Sequence, residues 1–207
     1  MTIRDLLTHM SGLTYQFQSR SYIDEAYGKL GIGEVGGKLN LRETVLKLAT
    51  LPLEFSPGTK WNYSVSTDIL GYLIEVISGK SFDQYLKEAI FEPLKMKDTS
   101  FYVPGEKLDR FAQIYERGPD KILKPTAQSG SGSFTAPPVY LSGGGGLVST
   151  AADYFRFCQM LLNGGELDGA RILGRKTIEL MTMNHLPGGR DMTELSISSF
   201  SQTTSEG

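Results

Sequence analysis

Between Ser56 and Pro93 the chain leaves itself few folding options. Pro57-Gly58 makes a tight turn, because proline presets its own φ and glycine tolerates a left-handed corner. Ile69, Leu70, Leu73, Ile74 and Ile77 then recur at helical spacing, and Gly79 closes that apolar stripe as a C-terminal cap. Ser81 and Gln84 read as a capping box for a second helix carrying Phe82, Tyr85, Leu86 and Ile90, which ends before Pro93. Two helices with so short a joint predict an αα-hairpin. Tyr63 falls between the turn and the first of these helices, a place where a side chain is held firmly and can still face a cleft. An unperturbed tyrosine titrates at about 10 and becomes a useful base only beside positive charge.

The remaining pattern is also mostly helical. Thr2 and Asp5 form a capping-box-like start for a short helix ending near His9, and residues 22–30 are a weaker candidate. Asn40 caps a helix with Glu43 at its third position, Leu41, Val45 and Leu48 on one face, and Pro52 as its stop. Thr150 and Asp153 cap another, carrying Phe157, Cys158, Leu161 and Leu162 and ending at Gly164-Gly165. A last helix is expected at about 175–184. Residues 99–103 and 111–116 are expected as short strands, Thr126 to Gly146 as a long Gly/Ser/Pro-rich loop, and Ser196 to Gly207 as a polar tail. The expected class is mainly α with minor β. Strand content is too low for a self-contained sheet.

Composition removes several function classes. Lys and Arg number 21 against 23 Asp and Glu, both signs interspersed, so no face is announced for nucleic acid or anionic membrane. Apolar runs are far shorter than a membrane span, and residues 1–20 lack a signal-peptide core; the compartment is otherwise unset. A single cysteine, Cys158, allows no intrachain disulfide and no CxxC metal site, and its apolar helical setting predicts a buried structural thiol.

Common catalytic signatures are missing. There is no G-x-S-x-G elbow, the Ser129–Ser133 run matching it in composition only; there is no H-E-x-x-H, Walker A motif or dinucleotide fingerprint. Two histidines cannot build an all-His metal site. His9 reads as a partly buried structural residue, His185 as a cation at a helix end, and Trp61 as a packing anchor that could also line a pocket beside Tyr63. Gly143-Gly144-Gly145-Gly146 admits two readings: a nest of backbone donors, or, preferred, a turn passing close to a neighbouring element. Tyr63 taken alone carries only the prior of any tyrosine, a packing residue with one hydrogen bond.

Four blocks in order give a sharper reading. They are Thr2-Ile3-Arg4-Asp5-Leu6-Leu7-Thr8-His9-Met10-Ser11-Gly12-Leu13, Phe55-Ser56-Pro57-Gly58-Thr59 to Tyr63-Ser64, Phe91-Glu92-Pro93-Leu94 to Phe101, and Gly143 to Asp153. Together they resemble the serine hydrolases related to class C β-lactamases, including esterases and DD-peptidases, over nearly the whole chain. The resemblance implies the helical portion of the β-lactamase/transpeptidase-like fold, with most of the antiparallel sheet missing. It also implies acyl transfer to a serine in an S-x-x-K motif, with the lysine and a tyrosine sharing the acid–base work and backbone amides holding the oxyanion. Of these groups only the tyrosine is carried over, as Tyr63. The implied substrates are small esters or amides, and the chemistry implies no metal and no cofactor.

Two departures follow from the same comparison. The third position of the tyrosine motif, asparagine in β-lactamases, is Val65, which can neither donate nor accept a hydrogen bond to a substrate amide. Val65 is thus a substrate-binding candidate that leans toward esters. No serine in the sequence is followed by lysine three residues later, and Lys176-Thr177-Ile178 fails as a K-T-G strand motif. The expectation is a partial domain over 1–195 followed by a polar tail, 196–207, inactive by itself and prone to self-association through exposed apolar surface. The alternative is a non-catalytic binding or interaction remnant of the same fold.

Overall fold

The computed structural model of the chain describes residues 1–34, 36–125 and 134–198. Its helices are α1 (Ile3–Leu7), α2 (Tyr22–Leu30), α3 (Leu41–Leu48), α4 (Ser66–Ser78), α5 (Phe82–Leu86), α6 (Ala151–Leu162), α7 (Arg175–Met181) and α8 (Met192–Leu195). Two antiparallel ribbons are the only sheets among the described residues: β1 (Tyr115–Arg117) with β2 (Leu123–Pro125), and β3 (Glu166–Leu167) with β4 (Ala170–Arg171). The helix-rich, strand-poor expectation is met.

Side-chain caps start the helices. Thr2 with Asp5, Ser21 with Asp24 and Asn40 with Glu43 each form a reciprocal capping box, satisfying two end amides at a time. Asp24 is fully buried and carries further donors: the Thr14 hydroxyl at 2.6 Å and the Arg20 amide at 2.7 Å. Helix α4 packs on α1, α3 and α5, and its C-terminus turns at Gly79 with φ +70°. The αα-hairpin forms as expected, but Ser81 makes no side-chain cap. Glu75 of α4 reaches across the joint instead, its Oε1 accepting the Phe82 amide at 3.0 Å. Beyond α5 the second helix widens over Lys87–Phe91 into a turn with i→i+5 bonds, such as Glu92 N–H to Lys87 C=O at 2.9 Å.

Four apolar clusters hold these pieces. The first joins Leu6, Leu13, Ile23, Tyr27, Ile32, Leu48 and Val65; the second Leu41, Phe82, Phe101 and Tyr140. Phe91, Leu94, Met96 and Met160 make the third, under α6, and Met10, Trp61 and Leu195 the fourth.

Some expectations change here. Cys158 is exposed, not buried. Helix α6 turns Asp153, Phe157, Met160 and Leu161 inward, and at about 100° per residue the side chain after Phe157 points out with Phe155 and Leu162. The strand expected at 99–103 is a single antiparallel bridge between Ser100 and Val148, and of 111–116 only Tyr115 and Glu116 enter β1. The β3–β4 hairpin turns on Asp168-Gly169, both at positive φ, a two-residue turn that suits the twist of a tight ribbon. Residues 126–133 of the expected loop and 199–207 of the expected tail lie outside the described residues. The start of that tail is docked: Trp61 pairs in parallel with Ser196, through Trp61 N–H to Leu195 C=O at 3.0 Å and Ile197 N–H to Trp61 C=O at 2.9 Å.

Candidate active site

Tyr63 lies on a short extended run that neighbours pin from several sides. The Asn62 amide donates to the His9 carbonyl at 3.0 Å and the Val65 amide to the Thr14 carbonyl at 3.2 Å. The buried Asn62 side chain donates to the Leu13 carbonyl at 2.9 Å and accepts from Arg20, which also pairs with Glu54 at 3.0 Å. Gln18 is buried and donates through Nε2 to the Tyr63 carbonyl at 2.9 Å. A backbone fixed at so many points leaves the tyrosine ring little freedom. This is the rigidity that Pro57-Gly58 and the start of α4 predict.

The ring itself is half-buried in an aromatic group. Its centroid lies 5.2 Å from His9, 5.3 Å from Tyr15 and 6.3 Å from Phe17; Tyr15 and Phe17 stack at 4.8 Å. Trp61 is buried in its own cluster and meets His9 edge-on at 5.8 Å, so it acts as a packing anchor behind the site. His9 is more engaged than the sequence suggests. Its Nδ1 is 3.2 Å from Ser64 Oγ, and a chain of hydroxyls continues from Ser64 to Ser66 at 2.8 Å and from Ser66 to Ser11 at 2.7 Å. All three serines are fully buried, so none is placed to attack a substrate. Burial lowers the His9 pKa from its ordinary value and favours the neutral ring.

Val65 and Tyr63 pack in different apolar clusters. Val65 has no exposed surface and belongs to the core with Leu6, Leu13 and Ile23. Gly33 packs so close that a Cβ there would come within 2.8 Å of Val65 Cγ1. The expected substrate contact therefore finds no accessible surface at Val65.

Beside Tyr15 the fold assembles groups that sequence reasoning missed. Asp68, in the first turn of α4, is 1% exposed; its Oδ1 accepts from Ser142 Oγ at 2.6 Å and from the Gly144 amide at 3.3 Å. Tyr15 donates to Asp68 Oδ2 at 3.4 Å, and the buried Tyr140 hydroxyl faces the same carboxylate without closing a well-formed hydrogen bond. Burial first, then the Asp68 charge, raises the pKa of both tyrosines, so both remain protonated. The glycine run takes the close-approach reading: a Cβ on Gly143 would lie 2.1 Å from the Thr67 carbonyl oxygen. The sequence signals for this cluster were the Gly143–Gly146 run and Asp68 itself, a carboxylate in the first turn of an apolar helix. His185, as expected, sits at a helix end, with Nε2 2.6 Å from the Leu180 carbonyl. Among the described residues no group of three His, Cys, Asp or Glu side chains converges as a metal site requires, and no helix is long and apolar enough to cross a membrane.

Known proteins share this arrangement of segments. The profile of the family described as Beta-lactamase matches residues 1–193. Protein Rv1367c of Mycobacterium tuberculosis is 38% identical over 184 residues, which is 89% of this chain and 44% of that protein. Esterase EstB of Burkholderia gladioli is 32% identical over 173 residues, 75% of this chain and 43% of that protein. The solved structure of EstCE1, a hydrolase with promiscuous acyltransferase activity, superposes with a TM-score of 0.73 at 27% identity, covering 87% of this chain and 49% of its own. The chain thus spans less than half the length of each of these proteins. The profile match over 1–193 and the shared helical fold place this chain in the beta-lactamase family, the serine hydrolases that include esterases such as EstB.

Proposed function

We propose that this chain carries the tyrosine base of a serine acyl-transfer site acting on small esters. In this reading Tyr63 acts as the base that takes the proton from an attacking serine hydroxyl. The serine oxygen forms an ester to the acyl group, the alcohol leaves with the proton, and water then releases the acid. The observation that carries the reading is the placement of Tyr63: a half-buried ring on a backbone pinned by Gln18, His9 and Thr14, within a fold shared with esterases. In this reading residues 1–195 form part of that catalytic domain, and the pairing of Trp61 with Ser196 and of Gln18 with Ser198 supports counting 196–198 with it.

The serine and lysine are the groups this sequence lacks, since no S-x-x-K occurs in its 207 residues. The preference for esters over β-lactams rests on the apolar Val65. From inside the core it acts by shaping the turn into α4, with no polar group to orient a substrate amide. The test is hydrolysis of an activated aryl ester. The chain alone is expected to give no turnover above background. A protein joining it in frame to an S-x-x-K segment is expected to hydrolyse the ester, and Tyr63→Phe should lower its kcat about 10²–10⁴-fold. Turnover by the chain alone that vanishes in Tyr63→Phe, or full activity of Tyr63→Phe in the joined protein, overturns the reading.

A further inference from the structure

Asp68 is an enclosed charge with an unusual set of partners. A carboxylate taken out of water is costly unless donors converge on it. Here three do so: Ser142 Oγ at 2.6 Å, the Gly144 amide at 3.3 Å and the Tyr15 hydroxyl at 3.4 Å. Ser142 Oγ also accepts the Gly144 amide at 3.1 Å, so the loop closes on itself as it closes on Asp68. The approach needs glycine: a Cβ at Gly144 would lie 2.8 Å from Thr67 Oγ1 and 3.0 Å from the Tyr15 hydroxyl. Tyr15 in turn lays its ring against Tyr63, 5.3 Å between centroids and tilted by 42°. One carboxylate therefore joins three segments distant in sequence, and one of the three touches the tyrosine of the site.

We propose that Asp68 is the positioning residue of this site, anchoring the Gly143–Gly146 loop to α4 and, through Tyr15, setting the ring of Tyr63. Its catalytic meaning rests on the reading of Tyr63 as a base; its structural content does not. Charge, not shape, is what the arrangement uses. Asparagine at 68 could still accept from Ser142 and Gly144 on its one oxygen, but its amide group would face Tyr15 with a donor where a donor already points. The Tyr15 hydroxyl must then turn to accept from that amide, and the charge-assisted bond that holds its ring beside Tyr63 is replaced by a weaker neutral one.

The test uses the full 207-residue chain with tyrosines carbon-13-labelled at Cζ and assigned through Tyr15→Phe and Tyr63→Phe. Asp68→Asn is expected to keep its helical circular dichroism, to displace the Cζ resonances of both Tyr15 and Tyr63, and to speed amide exchange at Gly144 about tenfold. Ser142→Ala keeps the carboxylate and its Tyr15 contact. It should speed exchange at Gly144 while leaving the Tyr63 resonance in place. A folded Asp68→Asn with an unmoved Tyr63 resonance overturns the proposal. Should Asp68→Asn fail to fold, Tyr15→Phe carries the test, and an unmoved Tyr63 resonance there overturns it equally. No turnover is measured, so failure here leaves the acyl-transfer reading standing, and failure of that reading leaves this result intact.

Discussion

His9 joins two conditions that rarely meet in one residue. Its φ of +54° lies in the left-handed region, where a side chain costs roughly 1–2 kcal/mol, and its ring nitrogen is committed to Ser64. Burial lowers its folded pKa below the ordinary 6.5, so protonation favours the unfolded chain. The stability contributed by the neutral ring is present above pH 6.5 and is lost as pH falls through that value toward the depressed folded pKa. His9→Asn supplies a side chain that tolerates the same backbone and can still bond Ser64, without titrating. Thermal melts from pH 8 to pH 5 should show the wild-type midpoint falling more steeply than that of His9→Asn; parallel curves would rule out the assignment. Such a role was hard to read in the sequence. Of the two leucines before His9 only Leu6 faces the core, and the histidine's partner Ser64 lies 55 positions away.

Among the elements, α6 is held at its start by two different devices. Thr150 caps it through the Asp153 amide at 3.2 Å. Asp153, 7% exposed and on the inward face, accepts the Asp98 amide at 2.7 Å and the Thr99 hydroxyl at 2.9 Å. Losing a cap costs about 1 kcal/mol, whereas removing Asp153 leaves the Asp98 amide without its acceptor, at about 1–3 kcal/mol, and leaves the Thr99 hydroxyl with Ser149 alone. Denaturant titration should therefore rank Asp153→Ala as more destabilising than Thr150→Ala; the reverse order would mean that the Asp98–Thr99 contacts contribute nothing. Caps of this kind are local, which is why those at Thr2, Asn40 and Thr150 were legible in the sequence. What was not legible depended on contacts across elements. Ser81 looked like a cap, but it is Glu75 of the preceding helix that accepts the Phe82 amide, and Cys158 looked buried because apolar content does not say which way a helix faces. The Asp168-Gly169 hairpin was written plainly in turn chemistry and was overlooked amid the helical pattern.

The whole molecule leaves substantial apolar area uncovered. On α6 Phe155 is 64% exposed and Leu162 81%; at the end of α4 Ile77 is 74% exposed. Exposed apolar side chains scattered singly are ordinary, but Tyr154, Phe155 and Leu162 share one helix face. Sedimentation velocity is expected to show association that grows with concentration, reduced in the double variant Phe155→Lys, Leu162→Lys. A monomer at every concentration, or a variant that associates as strongly as wild type, counts against that face. At this scale the sequence was informative about class and family and silent about the site. Tyr63 stood out through its resemblance to a known motif, while Tyr15 and Ser142 reach Asp68 from 53 and 74 positions away, separations that no local pattern encodes. The clasp of Trp61 by Leu195 and Ile197 carries a consequence for how the protein comes into being. Together with the bond from Gln18 to Ser198, which spans 180 positions, it makes part of the surroundings of Tyr63 depend on contacts that form only once residue 198 is in place. Closing so long a loop is entropically late, and during synthesis residues 195–198 emerge only after the segments they bind. The aromatic side of the tyrosine, made by His9, Tyr15 and Phe17, can form early, while the clasp on Trp61 waits for residues 195–197.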